Sequence, residues 1–141
     1  MDRNAVARRV LPLIDLTNLE EGCAAEDVRA LAARAETPHG NVAALCIWPD
    51  FVGVAADLVA GTGIGLATVV NFPGGNDPLD DVVALTKRAT ADGATEIDTV
   101  VPYRALMGGD AAGVTRHVEL LDAASGNARL KCILETGVLA D

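Results

Sequence analysis

Glu96-Ile97-Asp98-Thr99-Val100-Val101 is a short, largely β-branched run with a carboxylate in its middle. Leu130-Lys131-Cys132-Ile133-Leu134-Glu135 is a second run, with a lysine near its start. A nearly continuous apolar run of this length reads as a strand buried on both faces, as in a parallel sheet. A charge inside such a strand is costly unless something pairs with it. By the two-residue period of a strand, Asp98 shares a face with Glu96 and Val100, and Lys131 shares one with Ile133 and Glu135. Three more runs, Leu11–Leu16, Val42–Trp48 and Gly65–Phe72, have the same apolar character, and the first carries Asp15.

Between the runs, apolar residues recur every three or four positions over Ala25–Ala35, Phe51–Ala60, Leu79–Ala91 and Ala111–Ala124, which predicts four helices. Asp50 is placed to cap the second. Asp77-Pro78-Leu79-Asp80 offers the third a cap, an early proline and acid in the first turn. Gly61 and Gly93 stand where helices stop. Gly61-Thr62-Gly63-Ile64-Gly65 follows a helix and precedes a strand, the reverse of a dinucleotide fingerprint, and reads as a turn. No linker or low-complexity stretch interrupts the βα rhythm, so residues 1–141 are expected to form one domain.

Parallel strands joined by helices build either a doubly wound open sheet or an eight-stranded barrel. The charges of Asp15, Asp98 and Lys131 inside strand runs favour the barrel, whose interior gives them each other and water as partners. The expected fold is α/β, of the (β/α)8 type, with about five parallel strands curving in sequence order and helices outside. A complete barrel takes about 250 residues. The sequence stops at Glu135-Thr136-Gly137-Val138-Leu139-Ala140-Asp141, where another helix is due, so an incomplete barrel without strands six to eight is expected.

The chain has 141 residues, with 20 Asp and Glu against 11 Lys and Arg, a net charge of −9. That balance argues against a grip on a phosphate backbone, hence against nucleic acid as partner. The longest apolar runs fall far short of the ~20 residues of a membrane span. Met1-Asp2-Arg3-Asn4 opens no secretory signal, so a cytoplasmic protein is expected. Cys23, Cys46 and Cys132 show no Cys-x-x-Cys spacing and read as reduced thiols. With only His39 and His117 beside them, a metal site has little to build on.

Asp98 fits either a structural ion pair or proton-transfer work, and spacing alone does not decide. Lys131 is its expected partner within salt-bridging distance. A desolvated lysine can lose its proton near neutral pH. Lys87 falls on a predicted helix surface. For Cys46, a small buried hydrophobe is the plainer reading. Asn71-Phe72-Pro73-Gly74-Gly75-Asn76 follows the third strand at the catalytic end of a barrel, where Phe72 can line a pocket while the glycines make a βα turn.

Five segments together, Ile14-Asp15-Leu16-Thr17, Thr37 to Pro49, Ala67 to Asn76, Asp98 to Met107 and Leu130 to Gly137, resemble the deoxyribose-phosphate aldolase family in order and spacing. The resemblance implies a TIM barrel and a class I, metal-free aldolase that needs no cofactor. Such an enzyme cleaves 2-deoxy-D-ribose 5-phosphate to D-glyceraldehyde 3-phosphate and acetaldehyde through a lysine Schiff base. It implies Asp98 as the proton relay and Lys131 as its partner, with Asp15, Thr17, Cys46 and Phe72 lining the substrate pocket. The family's Schiff-base lysine lies on the sixth strand and matches no residue here, so these 141 residues alone are expected to be inactive. Two rival readings are a non-catalytic module that self-associates through open strand edges, and an unrelated doubly wound small-molecule-binding protein.

Overall fold

The βα rhythm is present throughout residues 2–139, which the computed structural model describes. In chain order the elements are α1 (Arg3–Val10), β1 (Asp15–Asn18), α2 (Ala25–Ala32), β2 (Glu36–Thr37), β3 (Gly40–Asn41), β4 (Ala44–Ile47), α3 (Val52–Val59), β5 (Gly65–Val70), α4 (Leu79–Ala91), β6 (Glu96–Val100), α5 (Tyr103–Met107), α6 (Ala111–Ser125) and β7 (Arg129–Ile133). Five strands form one sheet in the order β1-β4-β5-β6-β7, and every neighbouring pair is parallel. The antiparallel pair β2-β3 stands outside it.

The two faces of the sheet differ as the strand period requires. Leu45, Ile47, Leu66, Val70 and Ile97 point to one side, where they form a single core with Val28 and Leu31 of α2, Val52 and Val59 of α3, Val82 of α4 and Leu121 of α6. The other side carries small apolar residues, Ala44, Cys46, Ala67 and Val69, together with the charged positions. Helices on one face only exclude the doubly wound alternative, which needs them on both.

Curvature follows from one distance. In a flat sheet β1 and β7 would lie four strand spacings apart, about 19 Å, too far for two side chains to meet. Lys131 Nζ on β7 nevertheless lies 2.8 Å from Asp15 Oδ2 on β1. The sheet therefore wraps around a concave face, five strands of a TIM-barrel wall that is not closed, with β1 and β7 as edges.

Local departures from expectation have local causes. Leu11–Leu13 is a 3-10 turn, because Pro12 has no N–H to give a strand ladder, and the strand begins only at Asp15. The second predicted helix starts at Val52, after a 3-10 turn over Pro49–Phe51. Asp50 caps nothing and instead pairs with Arg88 at 2.8 Å. Asp77 likewise makes no side-chain cap on α4. Asp110 does cap α6, accepting the Gly113 N–H at 2.8 Å. Gly93 has φ +112°, and a Cβ there would lie 2.9 Å from Ala56 Cβ, so glycine is needed where α4 turns into β6.

Candidate active site

Parallel pairing in register sets the site. Asp98 on β6 faces Lys131 on β7, Val69 on β5 faces Asp98, and Thr17 on β1 faces Cys46 on β4. Residues paired in this way point to the same side, so the four polar side chains share the concave face. Lys131 Nζ donates a hydrogen bond to Asp15 Oδ2 at 2.8 Å. It also lies 3.0 Å from Glu96 Oε2 and 3.1 Å from Asp98 Oδ1. These last two are ion pairs by distance, without the direction of a hydrogen bond. Asp98 Oδ1 is thus a buried acceptor with no directed donor.

The expected Asp98–Lys131 approach is present, and it is one edge of a larger network in which one ammonium meets three carboxylates from two strands. Asp98 is the most enclosed of the three, its side chain 14% exposed against 19% for Glu96 and 33% for Asp15. Burial pushes the Asp98 carboxyl above the usual carboxylate range, against the opposing pull of Lys131. For Lys131, burial alone would lower the pKa, but the hydrogen bond to Asp15 and the close carboxylates of Glu96 and Asp98 outweigh it and hold the amine above the usual lysine range. That corrects the expectation of a lysine that loses its proton near neutral pH. Here Lys131 is a fixed ammonium.

Cys46 is 5% exposed, and its thiol is pushed up to about 11, first by burial and then by the charge of Asp98. It packs with Ala44, Ala67 and Val69 as a small apolar residue, the plainer of its two readings. Thr17 lies on the exposed part of the concave face, its hydroxyl donating to the Asp15 carbonyl at 3.0 Å. Phe72 sits past the end of β5, edge-on to Trp48 with centroids 5.8 Å apart. It touches the apolar residues of both β4–β5 and the β6 end. A cavity of about 500 Å3 opens beside these rings, walled by Trp48, Phe51, Phe72, Glu21 and Arg88. Of the residues expected to line a pocket only Phe72 borders it; Asp15, Thr17 and Cys46 do not, nor do Lys131 and Asp98.

Two residues of the site escape sequence reasoning. Glu96 is visible as sharing the face of Asp98, but its contact with Lys131 depends on the tilt of neighbouring strands. Asn71 is 2% exposed with φ 55°. Its Nδ2 donates to the Val100 carbonyl at 2.7 Å, and its Oδ1 accepts the Asp77 N–H at 2.9 Å. Asn71 thereby ties the loop bearing Phe72 to the end of β6. An asparagine at a strand end before a Pro-Gly-Gly turn is the signal, since asparagine tolerates the left-handed region. Among the described residues no group of three or more His, Cys, Asp or Glu is placed to hold a metal ion.

A curved parallel array with helices outside and a polar cluster within is the architecture of (β/α)8-barrel enzymes. The chain belongs to the DeoC/LacD family of aldolases, whose model matches residues 9–141. It is 47% identical over 137 residues to the deoxyribose-phosphate aldolase of Agrobacterium fabrum, covering 96% of this chain and 53% of that protein. Among solved structures, a Coccidioides immitis protein assigned as a deoxyribose-phosphate aldolase superposes with TM-score 0.90 at 30% identity, over 95% of this chain and 52% of that one. The tetrameric deoxyribose phosphate aldolase of Aeropyrum pernix does so with TM-score 0.81 at 26% identity, over 99% and 58%. The chain thus spans about half the length of the relatives it matches. No helix among the described residues is long and apolar enough to cross a membrane.

Proposed function

We propose that these residues are the acid–base part of a site for reversible cleavage of 2-deoxy-D-ribose 5-phosphate to D-glyceraldehyde 3-phosphate and acetaldehyde through a lysine Schiff base. The observation that carries this reading is the Asp98 carboxylate, buried on the concave face, raised in pKa, and held beside a permanent ammonium. Cleavage from the imine needs a base to take the proton of the C3 hydroxyl as the C2–C3 bond breaks. It then needs an acid to return a proton to C2 of the enamine, before water releases acetaldehyde. A carboxyl whose pKa is raised by burial suits both steps better than an ordinary carboxylate. In this reading Asp98 carries the proton and Lys131 positions and charges it, while Asp15, Thr17, Cys46 and Phe72 line the pocket.

Neither lysine of these 141 residues suits imine formation. Lys131 is kept protonated by its three acids, and Lys87 lies exposed on α4. We therefore infer that the 141-residue chain by itself lacks the Schiff-base amine and does not turn over. The same reading places the protein in the cytoplasm, in sugar-phosphate breakdown, and as a chain that associates with copies of itself.

Two experiments test it. Borohydride trapping with acetaldehyde, read by mass spectrometry, is expected to leave only trace labelling; a stoichiometric adduct on Lys131 with turnover would refute the assignment. A chimera in which residues 9–141 replace the matching segment of the Agrobacterium enzyme is expected to cleave the sugar phosphate. Its Asp98→Asn variant is expected to trap the imine yet lose turnover by about 10²-fold or more. Full turnover in that variant would remove Asp98 from the proton path.

A further inference from the structure

We propose that the hollow between α1 and the β2–β3 turn is a second binding site, for the dianionic phosphate of a small phosphate monoester. The hollow has a volume of about 390 Å3 and is lined by Asn4, Ala7, Arg8, Leu11, Thr37 and His39. It lies beside the start of β1 and β4, at the opposite end of the strands from Phe72, and is independent of the aldolase reading.

In a chain of net charge −9 with 20 acidic residues, this lining contains an arginine, a histidine and an amide but no carboxylate. Among the described residues no carboxylate lies within 4.0 Å of Arg8, a feature it shares with Arg3, Arg9, Arg34, Arg104 and Arg116; what distinguishes Arg8 is that it lines a hollow with a histidine and an amide. Asn4 and Arg8 are one helical turn apart and project from the same face of α1. Across the hollow, the turn bearing His39 is locked by Thr37, whose Oγ1 donates to the Gly40 carbonyl at 2.7 Å and accepts the His39 N–H at 3.1 Å. A guanidinium fork and an imidazole N–H lining one hollow are donors suited to the oxygens of a phosphate. Ala7 and Leu11 give the remaining wall an apolar surface for the carbon body of an ester.

The test is an amide NMR titration of the 141-residue chain with glycerol 3-phosphate and, separately, inorganic phosphate, against chloride at matched ionic strength. Saturable shifts centred on Arg8 and His39 are expected with the phosphates and not with chloride. Arg8→Gln, at an exposed position, is expected to weaken binding about tenfold or more. Arg9→Gln, outside the hollow, should leave it within about twofold. Tighter binding of the ester than of inorganic phosphate supports the role of Ala7 and Leu11, and equal affinity overturns it. Unsaturable shifts, shifts reproduced by chloride, or an undiminished response in a folded Arg8→Gln variant would overturn the site.

Discussion

Replacing Lys131 by methionine keeps most of the side-chain volume and removes the charge on which three carboxylates converge. The cost lies between two limits. Breaking a deeply buried pair costs about 3–5 kcal/mol, and an exposed pair is worth about 0–1 kcal/mol. Lys131 and Asp15 are each about one-third exposed while Glu96 and Asp98 are largely enclosed, so the expected loss is about 2 kcal/mol at neutral pH. The sign with pH follows from the protons. Lys131, held above the usual lysine range, contributes stability that is complete below its unfolded pKa and lost only as pH rises through the folded one. Asp98, raised by burial, takes up its proton in the folded state before the unfolded chain does. Without the ammonium the neighbouring carboxylates follow it. The difference between wild type and Lys131→Met is therefore full above the carboxylate range and shrinks as pH falls into it. Urea denaturation of both proteins at pH 7.5 and 4.5 measures this. A difference under about 0.5 kcal/mol at pH 7.5, or one unchanged at pH 4.5, would show that water screens the cluster.

Three further outcomes follow from other parts of the fold. His117 is 4% exposed and shares a 3.1 Å hydrogen bond with Thr99, and burial holds its pKa below the usual 6.5; as pH falls below 6.5 the unfolded chain protonates first, so the wild type loses stability there, and His117→Gln is expected to flatten that part of a urea-midpoint profile. Asn71→Ala removes the donor 2.7 Å from the buried Val100 carbonyl, leaving it only the long 3.4 Å bond from Thr99, takes away the acceptor of the Asp77 N–H, and places a Cβ residue without a polar side chain at φ 55°, an expected loss of about 3 kcal/mol by denaturant melting, with Asn71→Gly about 1 kcal/mol milder. Iodoacetamide at pH 7.5 is expected to label exposed Cys132 well before Cys46, whose thiol is buried and pushed up to about 11; equal rates in the native state would contradict the packing of the concave face.

Much of this protein can be read along the chain because the signals are local. The helices α2, α3, α4 and α6 and the five sheet strands appear as changes of hydrophobic period, and α4 begins and ends where the pattern predicts, whereas α1, as long as α2 and α3, buries no residue and shows no such period. Segments such as Leu11–Leu13 and the β2–β3 pair are misread or missed because they are too short to show a period and depend on a proline or on a neighbouring turn. Asp98 and Lys131 stand out within their own strands, since a charge in an apolar run is visible without any structure. What only the tertiary structure decides is where those charges end up. Asp15 and Lys131 are 116 positions apart, and nothing in either run encodes the other. Their contact exists because each parallel pairing turns the sheet a little further, until its first and fifth strands share one concave space. That same convergence of Asp15 and Glu96 on the ammonium changes the chemistry of Lys131 from a candidate amine to a fixed positive charge, because a pKa depends on every charge within a few ångströms and not on the sequence around it.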